Sequence, residues 1–329
     1  MKRAANPKPK KPILNLNKQD SISAPKTLIV VTGPTAVGKT ALAIELAELF
    51  STEILSADSR QFYREMTIGT AKPTAAEQKQ VIHHFIDFLP VTESYTAGQF
   101  SHDATALTER LFESLDVLIL AGGSGLYVDA VCRGFDELPP ADEAVRNQLK
   151  TVLQEEGLAG LQKRLLTTDP VYYRKVDLGN PQRLMRALEI GLSTGMPYST
   201  FLKGRSNPRP WRIIKIGLNL DREELYQRIN QRVDRMMEEG LLKEAGHLLP
   251  YRHLNALQTV GYKELFEYLD KKTSLGKAVE LIKQHSRNFA KRQLTWFKKD
   301  PDITWFEPGD TQKVADFIKN VMRSIQEFK

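Results

Sequence analysis

Eight consecutive residues, Gly33-Pro34-Thr35-Ala36-Val37-Gly38-Lys39-Thr40, fit the phosphate-cradling pattern G-x-x-x-x-G-K-[ST]. In such a loop the glycines let successive backbone N–H groups turn toward one anion, and the following helix adds its N-terminal dipole. Lys39 brings a point charge to the phosphate oxygens, and the Thr40 hydroxyl is placed to ligate Mg²⁺. The loop implies a bound di- or triphosphate. The elements needed to hold it flank it on both sides: Thr27–Thr32 is apolar enough for a buried strand, and 39–47 has the apolar face of a helix.

Two other groups are candidates for the same place. A second strand, 53–58, ends on Asp58, a carboxylate able to serve Mg²⁺ or to take a proton from a nucleophile. The plainer reading is that Asp58-Ser59 caps a following helix. A third strand, 116–121, runs into Gly122-Gly123-Ser124-Gly125, where a ligand can approach the backbone and meet the Ser124 hydroxyl. A nucleotide hydrolase usually ends such a strand on a Mg²⁺-holding Asp; this chain has glycine there. Apolar strands alternating with helices predict an α/β fold, a parallel sheet with helices on both faces. Ligands of such sheets bind beyond the carboxyl ends of the strands, which brings the Gly33 loop, Asp58 and Ser124 to one crevice.

Between Leu138-Pro139-Pro140 and Pro210 the strand pattern vanishes, and 141–155, 158–166 and 181–193 read as helices. We expect an all-helical insertion over 138–205 within a P-loop core made of 27–137 and 206–329. The core resumes with a strand at 211–220, Ile214, Ile216, Leu218 and Leu220 having period two. Helices at 222–239, 262–269 and 277–299, a strand at 303–306 and a closing helix follow. On the 222–239 helix, Arg228, Arg232 and Arg235 run beside the apolar row Leu225, Ile229 and Val233; a solvated face is the ordinary reading of such a row. The 277–299 helix carries seven Lys/Arg against Glu280, interleaved with Trp296 and Phe297, a nucleic-acid footprint if the aromatics are not core. Arg183 and Arg186, one turn apart in the insertion, could clamp phosphates.

The net charge of +7 is mostly a local property. Residues 1–26 hold seven Lys/Arg against Asp20, with Pro7, Pro9 and Pro12 among them, and read as a disordered, solubilising tail. The remainder is close to neutral, so attraction to nucleic acid must come from patches. No apolar run approaches a membrane span, and the lone Cys132 fits a reducing cytoplasm.

In order along 27–310, the chain resembles the tRNA dimethylallyltransferase (isopentenyl-tRNA transferase) family. The likeness rests on the Gly33–Thr40 loop, Asp58-Ser59 ahead of Tyr63, Ile68-Gly69-Thr70-Ala71-Lys72-Pro73, His83-His84 and Gly122-Gly123-Ser124-Gly125-Leu126-Tyr127. It continues through Pro181-Gln182-Arg183-Leu184, Leu257-Gln258-Thr259-Val260-Gly261-Tyr262 and Ala290-Lys291-Arg292-Gln293-Leu294-Thr295-Trp296-Phe297. The resemblance implies that the loop holds the diphosphate of dimethylallyl diphosphate with Mg²⁺, and that no activated water is needed. The acceptor would be the exocyclic amine of the adenosine 3′ of the anticodon, withdrawn from its stack into a channel. Asp58 matches the acid that hydrogen-bonds this amine, Arg232 the arginine that neutralises the diphosphate, and Ser124 a position usually Thr, where the hydroxyl is kept. The tRNA contacts implied are Asp58-Ser59-Arg60-Gln61, Ser124, Arg146, Gln182-Arg183-Leu184-Met185-Arg186 and Gln258-Thr259-Val260-Gly261-Tyr262-Lys263. The expected partners are the tRNA anticodon stem-loop and the allyl diphosphate, acting on a cytoplasmic monomer of bacterial type, since the cysteines of a eukaryotic zinc finger are missing. The rivals are an adenylate isopentenyltransferase using free AMP or ADP, a small-molecule P-loop kinase, and a nucleic-acid-binding module without chemistry.

Overall fold

The computed structural model describes residues 25–324 apart from Glu137, Ala141 and 203–207. The chain begins with β1 (Thr27–Thr32), α1 (Lys39–Phe50), β2 (Ile54–Ser56), α2 (Ala75–Gln80), β3 (His83–His84), α3 (Ala97–Leu111), β4 (Val117–Ala121) and α4 (Gly125–Arg133). Helices α5 (Glu143–Thr168), α6 (Pro170–Tyr173) and α7 (Pro181–Thr194) form the insertion. The chain returns with β5 (Arg212–Leu218), α8 (Arg222–Glu238), α9 (Leu241–Leu248), α10 (Tyr262–Leu269), α11 (Leu275–Phe297), β6 (Ile303–Phe306) and α12 (Thr311–Arg323).

The strands form one parallel sheet in the order β3-β2-β4-β1-β5-β6. Strand side chains alternate between faces, so β1 feeds both layers: Leu28 and Val30 pack into one apolar core, Ile29 and Val31 into the other. The period-two reading of β5 is borne out, with Ile214, Ile216 and Leu218 buried on one face. The polar residue between them, Lys215, is also buried, and is paired with Asp300 at 2.7 Å and Asp302 at 3.4 Å. Since β1, β2 and β4 are neighbours or next neighbours, their carboxyl ends deliver Gly33, Asp58 and Ser124 to the same edge.

The insertion buries a cluster of its own, Leu149, Val152, Leu161, Leu165, Leu184, Ala187 and Leu188. The predicted break at Gly157 appears as a kink (φ 66°, ψ −161°) between two helical stretches of α5. The tail expected over 1–26 ends too late. Lys26 is anchored, its Nζ donating to the Leu115 carbonyl and to Asp116 at 2.9 Å each, and its carbonyl accepting the Arg212 N–H at 2.8 Å. The disorder expected for residues 1–24 lies outside the described residues.

Candidate active site

The phosphate loop is shaped by backbone that few residues tolerate. Gly33 has φ 142°, and a Cβ there would stand 2.5 Å from the Leu218 carbonyl oxygen, so the close pass over β5 requires glycine. Gly38, at φ 106°, starts α1 with no side-chain cap, leaving the first N–H groups of the helix directed at the loop's hollow. Ala36 holds φ 66° without being glycine, a strained geometry of the kind found at ligand sites.

Three side chains fix this loop, two of them from other elements. Arg232 of α8 donates to the Thr35 hydroxyl at 3.1 Å. Gln293 of α11 accepts the Thr35 N–H at 2.8 Å. Lys39 folds back onto the Pro34 carbonyl at 2.8 Å. Two cations so close strain each other's charge. Burial, then Arg232, lowers the Lys39 pKa from its usual 10.5 to about 7, and Asp58 opposes the fall. Burial likewise lowers that of Arg232, again opposed by Asp58. The site is a positive hollow that an anion would complete.

Asp58 lies at the end of β2, and its Oδ1 accepts the Arg60 N–H at 2.9 Å. The capping alternative fails, as no helix follows directly: residues 59–61 are turn, so the bond fixes the carboxyl group on a tight bend instead. Beside it the Ser124 hydroxyl accepts the Ser59 N–H at 3.1 Å. The two loops touch because Gly122 has no side chain: a Cβ there would be 2.2 Å from the Ala57 carbonyl oxygen. An aromatic cluster supports this bend from below, Phe62 packing on Phe100, Tyr127, Phe88 and Tyr95.

Thr35, Asp58, Ser59, Arg60, Ser124 and Arg232 line one channel of about 220 Å³. One stretch of its wall is apolar, from Ile229, Val233, Met236, Leu241, Ile282 and Phe289, while Thr70, Thr259 and Ser286 add hydroxyls and Val260 and Gly261 lie along it. The three residues expected to carry catalysis thus share one cavity with Thr35 of the phosphate loop, and Asp58 also meets Lys39 and Thr40 in a small adjoining hollow. On the other side of Arg232, Lys39, Thr40 and Lys72 line an open basic groove with Arg228 and Arg235. Another hollow of about 770 Å³, between α8, α11 and the end of β6, contains neither the phosphate loop nor Asp58 or Ser124 and is not the site.

One channel wall depends on Glu244 of α9, which nothing in the sequence singled out. Its Oε2 accepts the N–H groups of Thr67 and Ile68 at 3.0 and 2.8 Å, and its Oε1 that of Gly69 at 3.0 Å and the Tyr262 hydroxyl at 2.7 Å. The carboxylate clasps the loop that presents Gly69 and Thr70 to the channel.

A protein-family model described as IPP transferase matches residues 61–300. The chain belongs to the IPP transferase family. It is 50% identical over 293 residues to tRNA dimethylallyltransferase 1 of Bacteroides thetaiotaomicron, covering 89% of this chain and 95% of that protein. It is likewise 49% identical over 294 residues to the tRNA dimethylallyltransferase of Christiangramia forsetii, covering 89% and 97%. Among solved structures, it superposes on a tRNA isopentenylpyrophosphate transferase from Bacillus halodurans with a TM-score of 0.68 at 38% identity, covering 92% of this chain and 99% of that one. A eukaryotic dimethylallyltransferase acting on tRNA gives a TM-score of 0.75 at 26% identity, covering 90% and 80%. The expected family and α/β fold are borne out.

The remaining residues of this IPP transferase that the resemblance singled out are scattered. Gln61 is a strut, its Oε1 accepting the Ser56 hydroxyl at 3.1 Å and its Nε2 donating to the Thr70 and Ala71 carbonyls at 3.2 Å. Leu184 and Tyr262 are fully buried, so neither side chain is available to a partner at the surface. Met185 packs against the insertion's core, while Gln182, Arg183, Gln258 and Lys263 are exposed. Arg186 pairs with the buried Glu189 at 3.0 Å, and Arg146 approaches the same carboxylate at 3.5 Å, so both already have an internal partner. The arginine row on α8 divides: Arg228 pairs with Glu224 at 2.8 Å, Arg235 is exposed, and only Arg232 reaches the loop. On α11, Lys283 and Arg287 bind Asp234 and Asn230 of α8, Phe297 is core, and Lys277, Lys291, Arg292, Lys298 and Lys299 are exposed.

Proposed function

We propose that the chain transfers the dimethylallyl group of dimethylallyl diphosphate to the exocyclic amine of the adenosine 3′-adjacent to the anticodon in tRNA, releasing diphosphate. The observation that carries this reading is the single channel that joins Thr35 and Arg232 to Asp58 and Ser124, with an apolar stretch of wall suited to a five-carbon chain. The phosphate loop, Lys39 and Arg232 hold the diphosphate. The amine lone pair attacks the allylic C1 while the C1–O bond breaks, the bonding pair leaving on the diphosphate oxygen. Asp58 orients the amine and takes its proton, and Ser124 hydrogen-bonds near the leaving oxygen. Negative charge grows on the diphosphate as the bond opens, so fixed cations in a water-poor site lower the barrier more than they stabilise the bound substrate.

No cluster of three or more His, Cys, Asp or Glu able to hold a metal occurs among the described residues. The Thr40 hydroxyl would hold a Mg²⁺ bound together with the diphosphate, and that ion would neutralise leaving-group charge. For the RNA, the exposed Arg183 of the insertion and Lys291 and Arg292 of α11 supply phosphate contacts, and Thr259–Gly261 line the channel into which the base enters. No described helix is long and apolar enough to cross a membrane.

Lys39 makes the diphosphate step pH-dependent. With its pKa near 7 in the unliganded site, much of the population is neutral above pH 7, and a bound diphosphate restores the charge. Binding dimethylallyl diphosphate at pH 8 should then draw a proton from the medium, and affinity should fall as pH rises above 7. Titration calorimetry at pH 8 in two buffers of different ionisation heat measures this uptake. A buffer-independent heat would contradict it, and Lys39→Gln should abolish the difference.

The rivals separate by acceptor. Wild-type protein given labelled dimethylallyl diphosphate with equal concentrations of unmodified tRNA and AMP should label the tRNA. Label on AMP would make it an adenylate prenyltransferase, and phosphoryl transfer from ATP to a small molecule would make it a kinase.

A further inference from the structure

One buried side chain lies between the two halves of the proposed site. Gln293, only 7% exposed, accepts the Thr35 N–H through Oε1 at 2.8 Å and donates through Nε2 to the Gly123 carbonyl at 2.8 Å. The amide orientation follows from its partners, because an N–H must meet the oxygen and a carbonyl must meet the NH₂. Thr35 is the loop residue whose hydroxyl also binds Arg232, and Gly123 immediately precedes Ser124, which in turn holds Ser59 beside Asp58. The bridge has room only because residue 123 is glycine, where a Cβ would stand 2.3 Å from Nε2. Its base is rigid: Ala290 and Phe297 are buried, Trp296 donates to Asp129 of α4 at 2.9 Å, and Lys283 and Arg287 fasten α11 to α8.

We propose that Gln293 is a positioning residue, which holds the phosphate loop and the Gly122–Gly125 loop in register so that the leaving group and the acceptor amine meet in line. This role rests on the transfer reading given above. Only an amide of this length satisfies both contacts. Glu would lack the donor for Gly123, Met would lack both, and each would leave buried backbone groups unpaired. None of the substrate-holding groups, Lys39, Arg232 and the α1 N-terminus, is itself bonded to Gln293. The loss should therefore fall on the chemical step, where a displacement of about an ångström costs on the order of 10²-fold.

The test uses the full chain with Gln293→Met, Gln293→Ala, Gly123→Ala and the combination Gly123→Ala/Gln293→Ala, and measures steady-state prenylation of tRNA with tRNA affinity in parallel. Gly123→Ala displaces the same amide from the loop side and leaves α11 unaltered, so it stands in if Gln293→Met folds poorly. We expect each single variant to lower kcat by about 10- to 100-fold. KM for dimethylallyl diphosphate should rise less than about 3-fold and tRNA Kd should hold, since no fixed cation or exposed RNA contact is lost. The combination should cost no more than the worse single change, because both remove one bridge. A folded Gln293→Met protein with wild-type kcat, additive losses in the combination, or losses confined to tRNA Kd would each overturn the role. Those results presuppose an active wild type. Wild-type protein that prenylates nothing would instead overturn the transfer reading itself, and with it this role.

Discussion

Asp58→Asn should lower prenyl transfer by about 10²–10⁴-fold while tRNA affinity changes little. That corresponds to about 3–5 kcal/mol of transition-state stabilisation. Asparagine keeps the oxygen that accepts the Arg60 N–H, so the bend should survive and the change should act on proton removal alone. The bend's other supports, the Ser59–Ser124 contact and the aromatic cluster around Phe62, do not involve the carboxylate. Single-turnover rates with saturating tRNA, beside a binding titration, make the measurement. Near-normal turnover would remove Asp58 from the acid–base role, and a parallel collapse of tRNA binding would make it a recognition residue.

Arg232→Ala should raise KM for dimethylallyl diphosphate and lower kcat together, because the guanidinium both seats the diphosphate and meets the charge that grows on it. We expect a loss of about 10²–10³-fold in kcat/KM. The helix should persist, since Leu225, Ile229, Val233 and Met236 keep α8 in the core. Removing Arg232 also removes the second cause of the depressed Lys39 pKa, so that pKa should move back toward its ordinary value. Arg232→Lys should recover only part of the activity, as an ammonium cannot reproduce the planar fork that reaches Thr35. Unfolding, or a defect confined to tRNA binding, would show the arginine to be misassigned.

Helical periodicity does not distinguish Arg232 from Arg228 or Arg235; in the sequence only the family resemblance singled it out. All three occupy one helical row, and periodicity treats them alike; only the packing of α8 across the carboxyl edge of the sheet brings one to Thr35, 197 positions away. The phosphate loop was legible because its chemistry is local: a buried strand, fixed glycines and a helix start within twenty residues. Strands β1, β4 and β6 and helix α10 were readable for the same reason. Strand β3 was not, since His83–His84 pairs for only two residues and has no alternation to detect. Helix α2 buries nothing, yet the Thr74–Glu77 capping box that starts it was a usable signal. The capping alternative weighed for Asp58-Ser59 does not hold, because residues 59–61 are a turn tied down by the buried aromatic anchor Phe62. Glu244 and Gln293 were illegible for a different reason. Glu244 reaches the Thr67–Gly69 backbone across at least 175 positions and Gln293 the backbone of Thr35 and Gly123 across 258 and 170, and such contacts leave no trace in residue type.

The most direct test of the account is where the prenyl group ends. Wild-type protein, Mg²⁺, labelled dimethylallyl diphosphate and an unmodified tRNA are incubated, the RNA is digested, and the nucleosides are separated by mass. The account predicts one labelled product, adenosine carrying the dimethylallyl group on its exocyclic nitrogen at the position 3′ of the anticodon, with one diphosphate released per group transferred. Label on another nucleoside, or diphosphate released with no label in the RNA, would contradict it.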